Sequence, residues 1–119
     1  MDYRDWLANI QSVTKRIADE AYQRRSWFGG GSEVSSPIEL YCQLMEDWRL
    51  DEFILQHLDS MTREQKEAAF TLARAMEGLD IGSDSDPHAV LEDPNWKLAQ
   101  QAAAKFLSSF PLGHEKPVR

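Results

Sequence analysis

The sequence predicts an all-α fold, a single domain built as an antiparallel bundle of four to five helices. Apolar residues recur at the three- and four-residue spacing of one helix face in every apolar segment. Helix-start signals occur at Ser36, Thr62 and Asp93, where a capping side chain precedes a helical pattern. No segment alternates between apolar and polar residues for long enough to predict a strand. Helices bury their apolar stripes against one another, so we expect a bundle.

The length of 119 residues suits one domain that can bury a continuous core without a disulfide or a metal. We expect this domain to span residues 1–110 and a loose tail to span residues 111–119. The single cysteine, Cys42, cannot form an internal disulfide, which favours a reducing compartment. No secretory signal and no membrane-spanning apolar run is recognisable, so we expect a cytoplasmic location.

The first predicted helix runs from Tyr3 to Ala21 and has one apolar stripe and one charged face. Arg24 and Arg25 fall in its last turn, where positive charge complements the helix dipole. The apolar stripe is expected to contain Tyr3, Trp6, Leu7, Ile10, Val13, Ile17, Ala18 and Ala21.

The second predicted helix begins with Ser36 as the cap, Pro37 in the first helical position and Glu39 as the capping-box partner. A third helix is expected from about Asp51 to Leu58. No Gly or Pro separates the two, so the sequence leaves open whether they form one helix or two. The inner faces are expected to contain Ile38, Tyr41, Cys42, Met45 and Trp48, followed by Phe53, Ile54 and Leu58.

The next helix is predicted to begin at a capping box formed by Thr62 and Gln65 and to end at Gly78. An acidic loop over residues 79–86 follows, and Pro87 predicts a short helical turn. The buried residues of this helix are expected to be Ala69, Leu72, Ala73 and Met76.

The last helix is predicted to begin with Asp93 as the cap and Pro94 in the first helical position, and to end before Pro111. Its buried face is expected to contain Trp96, Ala99, Ala103, Phe106 and Leu107.

Two large aromatic residues, Trp27 and Phe28, stand directly before three glycines, Gly29 to Gly31. Glycine allows backbone conformations that are closed to other residues, so the rings can be pinned on a neighbouring surface while the chain reverses direction. We expect both rings to pack over the junction of the first two helices. The alternative is that they are exposed as a binding surface.

The sequence contains no recognisable catalytic centre. His57, His88 and His114 have no nucleophile or metal-ligand partner at a spacing that known motifs use. Cys42 lies on the predicted inner face of its helix, where a thiol is inert. We therefore expect no enzyme activity.

No metal or cofactor site is expected either. Asp80, Asp84 and Asp86 share a loop with Gly82, but their order does not match a calcium-binding loop and no bidentate Glu closes it. The three glycines lack the following Lys and Ser or Thr of a phosphate-binding loop.

Acidic residues are concentrated in two segments of this chain, whose formal net charge is −7. Residues 26–62 contain seven acids and one base, and residues 79–95 contain five acids and no base. Such a field repels nucleic acid and anionic membranes, and it attracts a basic protein. The alternative is that the charge serves only to keep the protein in solution.

A partner-binding face is predicted where the second and third helices meet. Four carboxylates gather there beside a tryptophan, an arrangement that can anchor a partner rich in Lys and Arg. The alternative is that the tryptophan is part of the core and the acids complement the helix dipoles. The predicted residues are Glu46, Asp47, Trp48, Asp51 and Glu52, supported by the loop acids Asp80, Asp84 and Asp86.

The segment from Arg25 to Leu55 resembles small acidic immunity proteins of bacterial polymorphic toxin systems, including contact-dependent growth inhibition. The resemblance lies in Arg-Ser-Trp-Phe-Gly, the glycine-rich loop, Ser-Ser-Pro-x-Glu, and Glu-Asp-Trp-x-Leu-Asp-Glu-Phe-Ile. It implies a protein that binds one toxin, commonly a nuclease, and occludes its active site or another essential surface. The alternative function is a cytoplasmic adaptor or regulatory module without a toxin partner.

Overall fold

The computed structural model describes residues 2–29 and 35–111, and these residues form helices without any strand. The all-α prediction is therefore confirmed for the described part of the chain. The helices are α1 (Tyr3–Ala18), α2 (Glu20–Trp27), α3 (Pro37–Cys42), α4 (Leu50–His57), α5 (Arg63–Glu77), α6 (Pro87–Glu92) and α7 (Pro94–Ser109). A π-helical turn, Gln43–Asp47, extends α3, and a 3₁₀ turn, Leu58–Ser60, follows α4. The predicted tail lies outside the described residues from position 112 onward.

The number of α-helices in the described ranges, seven, exceeds the predicted four to five. One cause is that the first predicted helix is broken at Asp19, so that α1 ends at Ala18. Asp19 adopts an extended conformation and its carboxylate accepts a hydrogen bond from the backbone N–H of Tyr22 at 3.0 Å. Short acidic side chains favour such caps over helix interiors. Ala21, predicted to be buried, is therefore exposed on the new helix α2.

Helix α7 forms the centre of the molecule and packs most extensively against α5 and α1. Its side chains Trp96, Ala99, Ala103 and Phe106 are fully buried, as predicted, whereas Leu107 is half-buried. The facing side of α5 is also rich in alanine, which lets the two helix backbones approach closely. The buried residues of α5 are Ala68, Ala69, Leu72, Ala73 and Met76.

Helix α2 is joined to this centre by the fully buried side chain of Gln23. Its amide nitrogen donates hydrogen bonds to the carbonyl oxygens of Arg16 at 2.8 Å and Ile17 at 2.7 Å, at the end of α1. Its amide oxygen accepts hydrogen bonds from Trp96 Nε1 at 3.1 Å and Gln100 Nε2 at 2.9 Å, both on α7. A single side chain thus uses both donors and both acceptors to connect three helices.

The inner face of α3 differs from the prediction. The buried residues are Pro37, Leu40 and Leu44. At about 100° per residue, this face is rotated by roughly a quarter turn from the predicted one, because the whole α3 segment carries apolar residues around a wide arc. The predicted inner residues Ile38, Tyr41, Cys42, Met45 and Trp48 are all only half-buried.

The predicted helix starts are confirmed at their caps. The Ser36 hydroxyl accepts from Glu39 N–H at 3.2 Å, although the return bond that would complete a capping box is not formed among the described residues. At α5, Thr62 and Gln65 form both bonds of the box. Gly78 is the C-terminal cap of α5, and Asp93 caps α7.

The two aromatic residues before the glycines occupy different environments, contrary to the prediction that both pack over the junction of the first two helices. Trp27 is 9% exposed and packs against Trp96 of α7, with ring centroids 5.5 Å apart. Phe28 is 37% exposed and stacks on His88 of α6 at 4.1 Å. Gly29 has a φ of +77°, a conformation that favours glycine, while Gly30 and Gly31 lie outside the described residues.

Within the described ranges, every helix falls short of the length and apolar character that a membrane span requires.

Candidate functional site

A surface cleft of about 210 Å³ lies where the π-helical turn meets α4. It contains three of the predicted partner-binding residues, Asp47, Trp48 and Glu52. We call this site the acidic cleft. Its lining residues are Trp6, Asp47, Trp48, Arg49, Glu52 and Gln56.

The backbone that shapes the acidic cleft departs twice from regular α-helix. The N–H of Trp48 donates to the carbonyl of Gln43, five residues earlier, at 3.0 Å, which closes the π-helical turn. Arg49 then adopts a left-handed conformation with φ 47° and ψ 66°. The chain is thereby redirected, so α3 and α4 are separate helices and the question left open by the sequence is answered. Neither Gly nor Pro marks this turn, so sequence patterns gave no signal for it.

Trp6 of α1 supports the wall of the acidic cleft from behind. Its indole N–H donates to the carbonyl oxygen of Trp48 at 2.6 Å. The Trp6 ring is 8% exposed and packs edge-on against Phe53, with ring centroids 5.3 Å apart. The carbonyl that the turn leaves without a helical partner is therefore satisfied by a buried side chain.

Trp48 itself is half-buried. It packs against the edge of the hydrophobic core and also lines the acidic cleft. Trp48 is therefore partly a core residue and partly a surface residue, and its role as an aromatic anchor for a partner stays a prediction.

The charges in the acidic cleft are not all negative. Arg49 Nε lies 3.2 Å from Glu52 Oε1, and both side chains are largely exposed. Exposed pairs of this kind contribute little to stability, so the guanidinium can be displaced at low cost. Asp47 is exposed and forms no ion pair with any residue of the described ranges. Within the described ranges, the Asp47 carboxylate is thus unpaired, and the Glu52 carboxylate is held by an exchangeable cation.

Two of the predicted acids point to other neighbours. Asp51 interacts with Glu77 at the end of α5, and the negative charge of Asp51 is the main reason that the pKa of Glu77 is raised; burial and a hydrogen bond with Asp51 add to it. Both residues are exposed. Sequence reasoning missed Glu77 because it belongs to a segment whose acids and bases balance.

Glu46 is exposed and lies beside Cys42. Burial, followed by the charge of Glu46, raises the pKa of the Cys42 thiol above its ordinary value. Cys42 is only half-buried, so its predicted position on the inner face is wrong. A shift in this direction favours the protonated thiol over the reactive thiolate.

The three loop acids do not line the acidic cleft. Asp86 caps α6, where its carboxylate accepts a hydrogen bond from His88 N–H at 3.1 Å. Asp80 and Asp84 are exposed, and Gly82 N–H donates to Ser85 Oγ at 2.8 Å within the same loop. Nowhere in residues 2–29 and 35–111 do three or more His, Cys, Asp or Glu side chains come together as a metal site.

No curated protein and no solved structure matches the chain. A family model described as a domain of unknown function, DUF7945, matches residues 1–110. The chain therefore belongs to the DUF7945 family.

Proposed function

We propose that this protein binds a basic protein through the acidic cleft and that it acts as an immunity protein, occluding a cognate nuclease toxin in the cytoplasm. The observation that carries the proposal is the convergence of Asp47, Trp48 and Glu52 on one concave surface. Hot spots of protein interfaces combine an aromatic anchor with charged groups in such a pocket. The resemblance to immunity proteins supports the toxin as the class of partner.

Recognition would begin with a Lys or Arg of the partner entering the acidic cleft. The partner cation contacts the face of the Trp48 ring and the free carboxylate of Asp47. A guanidinium from the partner also competes with Arg49 for Glu52, whose existing ion pair is exposed and weak. Binding therefore replaces one ion pair with another and leaves no charge buried alone.

The overall charge supports fast association with such a partner. A net charge of −7 attracts a basic protein over distances of about 8 Å at physiological salt, the length over which ions screen the field. The association rate should therefore fall as ionic strength rises, whereas dissociation should depend mainly on contacts in the acidic cleft.

The proposal is tested by expressing the gene immediately upstream in the genome, alone and together with this protein. We expect the upstream product to arrest growth alone, and we expect coexpression to restore growth. Asp47→Lys combined with Asp51→Lys should abolish protection and slow association, because the two new positive charges repel a basic partner at and beside the acidic cleft. Both side chains are exposed, so the reversals should leave folding intact.

Asp59→Lys combined with Glu92→Lys is the matched control, since it makes the same change of charge at exposed positions outside the acidic cleft. It should retain protection. If the upstream product is harmless but binds this protein, the adaptor function is supported and the immunity function is rejected. If a complex forms and is indifferent to salt and to both reversals, the acidic cleft is not the interface.

A further inference from the structure

Four large apolar side chains are exposed in the described part of the chain: Phe28, Leu55, Phe70 and Leu98. Phe28 is covered on one face by His88, and Leu55 does not line either depression of the α5–α7 pair. Phe70 of α5 and Leu98 of α7, by contrast, line two adjoining depressions on the outer side of the α5–α7 pair. Large apolar groups exposed together often mark a binding surface.

The two depressions adjoin, because Thr71 and Arg74 line both of them; the first lies on the outer face of α5 alone, and the second lies between α5 and α7. Their volumes are about 430 Å³ and 440 Å³. Ala75 and Ala102 line the second depression, and such small side chains leave room between the longer residues on either flank. We call this surface the α5–α7 groove. It does not share any lining residue with the acidic cleft.

The charge of the α5–α7 groove is opposite to that of the rest of the protein. Its lining contains four cations, Arg63, Lys66, Arg74 and Lys105, and one acid, Glu67. Glu67 is already paired with Arg63, at 3.9 Å. Arg74 also interacts with Glu77, one turn further along α5. In a chain of net charge −7, this groove is therefore an apolar surface bordered by an excess of positive charge.

We propose that the α5–α7 groove is a second docking site, independent of the acidic cleft, and that it binds an acidic amphipathic helix from a protein partner. The apolar face of that helix contacts Phe70 and Leu98, and its carboxylates pair with Lys66, Arg74 and Lys105. A helix suits the second depression, which lies between α5 and α7, and residues 2–29 and 35–111 offer no sheet edge to which a strand could be added.

The charge pattern selects this occupant over other anions. A nucleic acid or an anionic membrane is larger than the groove, so part of its negative charge would lie outside it. That part would be repelled by the rest of the protein, whose net charge is −7. A short acidic helix confines its carboxylates to the cationic border. It also covers the two apolar side chains, which a phosphate backbone would leave in contact with water.

The test uses a fluorescein-labelled peptide of about 15 residues, a length that spans about four helical turns. The peptide carries Leu at helical spacing and Glu between the leucines, and fluorescence anisotropy measures its binding to the full-length protein. A second peptide has Lys in place of every Glu. We expect saturable binding of the Glu peptide and none of the Lys peptide.

Leu98→Ser and Arg74→Glu should each weaken binding of the Glu peptide by about tenfold. Both residues are exposed, so folding should be unaffected, and circular dichroism checks this. Leu55→Ser is the matched control, because Leu55 is 71% exposed but lies outside the groove. It should bind like the unmodified protein, and so should Asp47→Lys, which disrupts only the acidic cleft.

Three results would overturn the proposal. The first is the absence of saturable binding of the Glu peptide, or binding that Leu98→Ser and Arg74→Glu leave unchanged. The second is stronger binding of a DNA or RNA duplex to the same residues. The third is self-association in sedimentation velocity that Leu98→Ser abolishes, since a second copy of this chain would then be the occupant.

Discussion

The indole N–H of Trp96 donates to the amide oxygen of Gln23 at 3.1 Å, between two side chains that are both 0% exposed. This bond joins α2 to α7, and the amide nitrogen of the same Gln23 joins α2 to the end of α1. The short helix α2 has few buried apolar residues of its own. Its position therefore depends on a polar group whose hydrogen bonds are all satisfied.

Gln23→Met should lower the free energy of unfolding by about 3 kcal/mol or more, because it leaves Trp96 Nε1 and the Ile17 carbonyl buried without partners. Urea denaturation measures this loss. Gln101→Met, at an exposed position of α7, should change stability by less than about 0.5 kcal/mol. A similar stability for the two variants would mean that the network contributes nothing beyond packing.

Trp27→Ala should lower the free energy of unfolding by about 3 kcal/mol or more, as expected for removal of a buried aromatic side chain. Phe28→Ala should cost less than about 1 kcal/mol, since Phe28 is 37% exposed. Trp27→Phe should cost less than Trp27→Ala, because the buried indole N–H has no hydrogen-bond partner among the described residues. Thermal melts rank the three variants, and an unchanged melting temperature for Trp27→Ala would contradict the buried position.

Arg49→Gly should be more stable than Arg49→Ala by about 1 kcal/mol, because Arg49 has a φ of 47° and only glycine adopts this conformation without strain. Both variants lose the exposed ion pair with Glu52 equally, so that loss cancels in the comparison. Chemical denaturation of the two variants gives the difference. The reverse order, with Ala more stable, would show that this residue is not left-handed in solution.

Glu77→Gln should stabilise the protein at pH 7, and this gain should shrink as the pH falls through the raised folded-state pKa and become small below 4.5, the ordinary pKa of the group. The folded state raises the pKa of Glu77, so its contribution to stability is present below the unfolded pKa and is lost as the pH rises through the folded pKa. Urea denaturation of Glu77→Gln and of the unmodified protein measures the difference in stability at pH 7, where the gain is expected, and at pH 4, where it should be small.

Asp51→Asn provides the control for this effect. Because the charge of Asp51 is the largest cause of the raised pKa, the gain from Glu77→Gln should be smaller in the Asp51→Asn background. An equal gain in both backgrounds would assign the effect to the helix dipole at the end of α5 rather than to the pair.

Helix starts and the central core were predictable from the sequence because each depends on local chemistry. Thr62 and Asp93 cap helices with side chains that bond the next turn, whatever the rest of the fold does. Trp96 and Phe106 of the last helix are buried as the spacing indicated. The break at Asp19 was missed because the apolar periodicity continues across it.

The candidate site was predicted only in part, because its assembly depends on tertiary structure. Asp47, Trp48 and Glu52 were found from their proximity along the chain. Trp6 was not predicted to lie there, because it is 42 residues from Trp48 and pattern analysis identified it only as a core residue. Asp51 and Glu77 meet through the packing of α4 against α5, which a sequence pattern does not encode.

The π-helical turn makes the acidic cleft sensitive to chain length rather than to residue type. A π turn accommodates one residue more than an α turn, so deleting one residue from Gln43–Asp47 would restore regular helix. Residues after the deletion would keep their facing relative to α3, because the π turn absorbs the extra residue, and only the bulge beside the acidic cleft would be lost. Within the family, a single-residue gap in this turn would identify members that keep the helical core and lack the acidic cleft.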